Sequence, residues 1–166
     1  MDMEAEGDSP LAQIVLDGFA AFSRGDWESM IPFLSPDCKW EENQAGGFPG
    51  LSRVYVGHDG LRKWMRDTRD VWEAIRSEAE EIIEVETAED PSFVVFTRLT
   101  GRGRQEIRVD MVLYNVFWTR AGKGVRRRVY LDREAALAQA ALTDREIEAA
   151  DVRSRAKQTA GRRPDA

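Results

Sequence analysis

Residues 122–137 read Gly122-Lys123-Gly124-Val125-Arg126-Arg127-Arg128-Val129-Tyr130-Leu131-Asp132-Arg133-Glu134-Ala135-Ala136-Leu137, and this stretch decides the fold. A glycine turn feeds a strand, because glycine adopts left-handed dihedrals without steric cost. Residues 125–131 are β-branched, aromatic and arginine-rich, the composition of a strand. Asp132 then caps a short helix, and Glu134 sits in its first turn, where a carboxylate suits the helix dipole. Just upstream, residues 107–120 carry the longest strand pattern in the chain. Two long strands joined by a tight turn therefore end by delivering the chain into a helix.

Working outward, residues 92–100 are β-branched and aromatic, and Gly101-Arg102-Gly103-Arg104 reads as the hairpin into the long strand. Residues 78–87 alternate in part and turn at Glu89-Asp90-Pro91. The strands are preceded by helices. Leu11, Ile14, Val15, Phe19 and Phe22 share one helical face, with Ser9 as cap, Pro10 at the first helical position and Gly25 as the stop. Asp26 caps a second, short helix holding Ile31, Phe33 and Leu34. Residues 38–42 form a short strand, and residues 43–52 are glycine-rich and loop-like. A third helix follows His58, with Leu61, Trp64, Met65, Thr68, Val71, Trp72 and Ile75 on its apolar face. The order predicts an α+β fold, a curved and mostly antiparallel sheet packed on three helices from the first half of the chain. Residues 10–142 form the domain. Residues 1–9 read as a disordered acidic arm, and residues 143–166 as a charged, apolar-poor tail, a frayed helix passing into disorder.

Composition narrows the function. At 166 residues the chain builds one domain with a real core. No apolar run approaches a membrane span, and the acidic N-terminus lacks the features of a secretory signal. One cysteine, Cys38, cannot staple a domain, which fits a reducing cytoplasm. One histidine and one cysteine argue against a transition-metal site, and no cofactor is expected. Residues 10–97 hold eight basic and seventeen acidic side chains, whereas residues 98–142 hold ten and four. Cross-strand pairing of Glu78, Glu80, Glu84 and Glu86 with Arg98, Arg108, Arg126 and Arg128 accounts for that asymmetry better than a nucleic-acid surface, because the chain as a whole carries a charge of −6.

The helix–helix–strand–helix order and the C-terminal motif of residues 122–134 resemble the SnoaL-like branch of the nuclear transport factor 2 superfamily, and in particular its uncharacterised bacterial members. The resemblance covers residues 10–142. It implies a cystatin-like cone with an interior pocket for a small organic ligand, and a homodimer. Ketosteroid isomerases share the Gly25-Asp26 turn. Counted from Asp26, their general-base carboxylate falls at Glu42, and the tyrosine of their oxyanion hole falls at Gly18, which offers no donor. Their second donor, a protonated carboxylic acid, falls at Asn115 or Tyr114. The acid of the polyketide cyclases also falls at Asn115, an amide that cannot shuttle protons. The arginine of limonene epoxide hydrolases falls at Arg98, but their acids fall near Thr100 and Val129, and Arg108 and Asp110 lie one strand late.

The candidate site is then Glu42 as general base, suited to taking a proton next to a carbonyl, with Asn115 orienting the ligand and Trp40, Trp64 and Phe117 as walls. Asn115 and Tyr114 sit on opposite strand faces, so only one points inward. The resemblance selects Asn115, leaving Tyr114, Val112 and Val116 for a dimer face. His58 is read as a surface turn residue, and Arg126, Arg127 and Arg128 as solvated. Two functions compete: a pocket protein with acid–base isomerase, cyclase or lyase chemistry on a mostly apolar carbonyl or hydroxyl compound, and a non-catalytic dimeric binding module.

Overall fold

The computed structural model describes residues 9–42 and 54–161. The glycine-rich stretch 43–52 and the first eight residues of the acidic arm lie outside them. Helix α1 spans Pro10–Arg24: the Ser9 hydroxyl accepts from the Ala12 N–H at 3.1 Å, and Gly25 closes the helix at φ 78°. A 3-10 helix, Trp27–Phe33, follows without a side-chain cap from Asp26. Strand β1 is Leu34–Glu41, four residues earlier in its start than the sequence indicated. Strand β2 (Val54–Val56) runs into helix α2 (Gly57–Val71). Trp72 ends that helix and begins β3 (Trp72–Val85), because residues 72–75 find ladder partners in residues 101–103. Sheet pairing thus overrides the helical periodicity that runs through Ile75.

Strands β4 (Ser92–Gly103), β5 (Arg108–Arg120) and β6 (Lys123–Tyr130) complete one six-stranded sheet of order β2-β1-β6-β5-β4-β3. Among these, only β1 and β6 pair in parallel. The two glycines of residues 101–103 belong to β4, and the turn follows them, with Glu106 at φ 61°. The β5–β6 hairpin closes over Ala121 and Gly122, both at positive φ, the two-residue turn that matches strand twist. Register shifts at residues 72/74, 79/81 and 118/119 bend the sheet. The result is the α+β cone expected from the sequence.

The concave face holds α1, the 3-10 helix and α2, with Phe22, Trp27, Trp40, Tyr55, Leu61 and Trp64 in one cluster. The convex face is covered as well. Helix α3 (Arg133–Ala140), capped by Asp132 through the Ala135 N–H at 2.8 Å, lays Ala136 and Ala140 against Val94, Phe96, Val116 and Trp118. Val116, expected at a dimer face, is buried by this packing; Tyr114 is half-buried and Val112 exposed. Because both faces of β4 are covered, residues 92–97 are buried without alternation.

The charged segment after Leu142 differs most from its sequence reading. It forms helix α4, Asp144–Gly161, with Ile147 buried. Its acids find arginines on the sheet. Arg126 Nε donates to Asp144 Oδ1 at 2.7 Å and its Nη1 to Glu41 Oε2 at 3.1 Å, while its Nη2 reaches Glu148. Arg128 Nε donates to Glu41 Oε2 at 2.5 Å, and its Nη2 reaches Asp151. Lys39 Nζ joins at 2.8 Å from Glu148 Oε2. All three consecutive arginines are therefore buried, where solvated side chains were expected. Arg126 and Arg128 pair with β1 and α4, not with the acidic strand of residues 78–86. Asp144, Glu148 and Asp151 stand at i, i+4 and i+7, one face of a helix, and that spacing was the available signal.

Candidate functional site

The cone encloses a cavity of about 1100 Å³, its open mouth included. Leu11, Ile14 and Phe19 of α1, Phe22, and Trp40, Trp64, Trp72 and Phe117 give it an apolar, aromatic wall. Glu42, Asn115, Trp40, Trp64 and Phe117 all line it. The Trp40 ring packs on Trp64 and on Phe117, with centroids 5.3 and 5.9 Å apart. Such tilted and edge-on aromatic contacts fix ring orientation.

A polar patch sits within this wall. Strand alternation turns Leu113, Asn115 and Phe117 of β5 inward, and the same rule brings Arg127 of β6 in opposite Phe117. Trp40 pairs with Arg127 across the parallel β1–β6 ladder, so Glu42, two residues on, points the same way. Glu42 is 4% exposed. Its Oε1 accepts from Trp64 Nε1 at 2.9 Å and from Arg127 Nη1 at 2.5 Å. No described residue donates to Oε2.

Arg127 is the member of this patch that sequence reasoning missed. Its Nε and Nη2 donate to Asn115 Oδ1 at 3.1 and 2.9 Å. Asn115 Nδ2 donates to Thr97 Oγ1 at 2.9 Å, and that hydroxyl donates to the Leu113 carbonyl at 3.4 Å. Arg127 also lies over the Trp40 ring, with its guanidinium carbon 4.9 Å from the centroid. The signal that could have found it is the same alternation that ordered Asn115 and Tyr114.

Other sequence candidates lie elsewhere. His58 Nε2 is 2.8 Å from the Leu34 carbonyl, tying the start of α2 to β1. Arg98 forms a two-bond pair with Asp110, both contacts 2.9 Å, on the exposed surface. Cys38 is buried, and loss of solvation pushes its thiol up to about 11, so it is not a nucleophile near neutral pH. Gly18 lines the cavity, and a Cβ built there would meet nothing within 4 Å. The side chain that would carry a phenol is absent, and its space belongs to the cavity. Among the described residues no group of three His, Cys, Asp or Glu side chains gathers to hold a metal. No described helix is long and apolar enough to cross a membrane.

The sequence pattern of the SnoaL-like domain matches residues 15–127, most of the cone and the strand that carries Arg127. The chain belongs to the SnoaL-like family. Solved structures agree on the fold. TerC, crystallised with polyporic acid, is 22% identical, with a TM-score of 0.63 over 80% of this chain and 98% of its own. A nuclear transport factor 2-like protein of unknown function from Burkholderia pseudomallei is 21% identical, with a TM-score of 0.64 over 80% and 98%. SalBIII, an epoxide hydrolase/cyclase-like enzyme of pyran ring formation in salinomycin, is 18% identical, with a TM-score of 0.56 over 75% and 92%. No curated protein matches the chain. These neighbours, each under 25% identical, share the fold of this chain.

Proposed function

We propose that this SnoaL-like protein binds a mostly apolar organic compound bearing a carbonyl or hydroxyl group and isomerises or cyclises it by acid–base chemistry at Glu42. The observation that carries the reading is a buried carboxylate on an aromatic cavity wall with one oxygen, Oε2, receiving no donor from the described residues. In the proposed step Glu42 Oε2 takes a proton from the carbon next to the carbonyl. The C–H electron pair forms a carbon–carbon double bond, and the carbonyl pair moves onto oxygen as an enolate. Where the compound is a β,γ-unsaturated carbonyl, the enolate is a dienolate and return of the proton from Glu42 to its γ carbon completes an isomerisation. Where the enolate carbon instead attacks a second carbonyl carbon of the same molecule and closes a ring, that carbonyl's C=O pair moves onto its oxygen as an alkoxide, which takes the proton back from Glu42. The amide of Asn115 belongs to the patch that orients the oxygen, and Trp40, Trp64 and Phe117 hold the hydrocarbon. Relatives crystallised with polyporic acid or acting in pyran ring formation support a small organic ligand.

A metabolite-library thermal-shift screen finds the ligand, since a compound that binds only the folded state raises its melting temperature. Glu42→Gln keeps the shape and removes the base. It is expected to abolish turnover of that compound and leave its binding largely intact. A fully active Glu42→Gln protein refutes the acid–base reading.

One observation favours the alternative of a non-catalytic binding module: Arg127 already pairs with Glu42, which makes a structural role for the carboxylate self-sufficient. In that reading the protein is a homodimer whose pocket only binds. Retention of ligand affinity with no product formed, together with a dimer by light scattering, supports it.

A further inference from the structure

We infer that Arg127 is the ligand-binding donor of this cavity, that it takes the oxygen of an uncharged carbonyl group, and that Asn115 and Glu42 are its positioning residues. The inference rests on the small-molecule reading above.

A guanidinium carries five N–H donors. Asn115 Oδ1 accepts one from Nε and one from Nη2, and Glu42 Oε1 accepts one from Nη1. One N–H on Nη1 and one on Nη2 remain without an acceptor among the described residues. In an apolar enclosure such donors cost free energy until something accepts them. The Arg127 side chain keeps 10% of its surface, against 5% for Glu42, so the guanidinium is the more open of the two charges. Its orientation is fixed from three sides. The Thr97 hydroxyl accepts the Asn115 amide hydrogen, which turns the Asn115 carbonyl toward Arg127. Glu42 holds the far nitrogen, and the Trp40 ring lies along the guanidinium plane's carbon at 4.9 Å. Asn115 Oδ1 and Glu42 Oε1 both accept from Arg127, and Arg127 keeps two N–H donors beyond them.

Charge selects the ligand. Among the described residues of the cavity wall, Arg127 and Glu42 are the charged side chains, opposite in sign and in contact. An anionic ligand on Arg127 would bring a second negative charge beside Glu42 where water screens little. An uncharged carbonyl oxygen accepts the same N–H bonds without that repulsion.

Three probes of one shape test this: 2-acetylnaphthalene, the hydrocarbon 2-isopropenylnaphthalene and the anion 2-naphthoate. Affinities come from quenching of tryptophan fluorescence, and the ketone is also followed by its infrared carbonyl stretch. The ketone is expected to bind about tenfold or more tightly than the hydrocarbon, as a charge-assisted hydrogen bond allows, and more tightly than the anion. Its stretch is expected to fall in frequency on binding. In the double variant Glu42→Gln/Arg127→Met, which removes both charges together, the ketone loses its advantage and its frequency shift while the hydrocarbon still binds. Equal affinity of ketone and hydrocarbon for the native protein overturns the proposal, as does tightest binding of 2-naphthoate or a frequency shift that survives the double variant. If none of the three binds the native protein at millimolar concentration, the pocket reading itself is overturned. Should the double variant fail to fold, the native affinities and the infrared shift decide alone.

Discussion

Arg127 and Glu42 touch at 2.5 Å with almost no solvent around them. Each ion gave up several kcal/mol of hydration on burial, and their contact and remaining hydrogen bonds offset that cost. Removing one strands the other. Glu42→Gln and Arg127→Met are each expected to cost about 3 kcal/mol of stability, and the double variant clearly less than the sum, read from urea unfolding. Strict additivity would show that the two side chains do not depend on each other. Glu42 comes into view only through the resemblance to ketosteroid isomerases, by counting from Asp26, and it lines the cavity. Arg127 could not be located, because three adjacent arginines look solvated by composition. Strand alternation says that at least one of the three must face inward, and that geometric rule outweighs the compositional one when a carboxylate waits on the neighbouring strand.

At the scale of elements, α1 and α4 carry opposite lessons. Gly18 sits inside the continuous helix α1, where alanine would favour the helix more, and a Cβ there meets nothing within 4 Å. Gly18→Ala is expected to stabilise the protein by about 0.5–1 kcal/mol, seen as a melting temperature raised by a few degrees. A loss of stability would mean that the void is already filled. Helix α4 is bound by charge. Hydrogen bonds from Lys39 and Arg126 hold the Glu148 carboxyl well below its ordinary 4.5, at about 2. A carboxylate with a lowered folded value contributes stability that is complete above the ordinary value and lost as pH falls through the lowered one. The α4 share of the circular dichroism signal at 222 nm is therefore expected to hold at neutral pH and to decline between 4.5 and about 2. A helix that melts above 4.5 would refute this account. The start and caps of α1 were legible because Ser9, Pro10 and Gly25 act locally. The ordering of α4 was not, since its low apolar content hides that its partners sit on β1 and β6.

For the whole molecule, the cone was legible from the order of periodic segments, and its C-terminal boundary was not. Asp151 still reaches Arg128, whereas residues 153–161 are exposed throughout. Deleting residues 156–166 is expected to leave the melting temperature within about a degree. Deleting residues 144–166 strips Arg126 of three ion-pair partners and Arg128 of one, and is expected to lower the melting temperature by more than about 5 °C, given what unpaired buried charge costs. Equal effects of the two deletions would show that α4 adds nothing to the fold. The pairing of acids and bases on β1 and β6 also constrains how the chain finds this structure. Glu41 meets Arg126 and Arg128 outside the cone, and Glu42 meets Arg127 inside it. A slip of one residue along that ladder would send two arginines into an aromatic cavity holding one carboxylate and leave the outer acids facing one. Misaligned registers are thus penalised by electrostatics in addition to side-chain packing. The five charges act as an error check on assembly, widening the gap between the native arrangement and its nearest competitors.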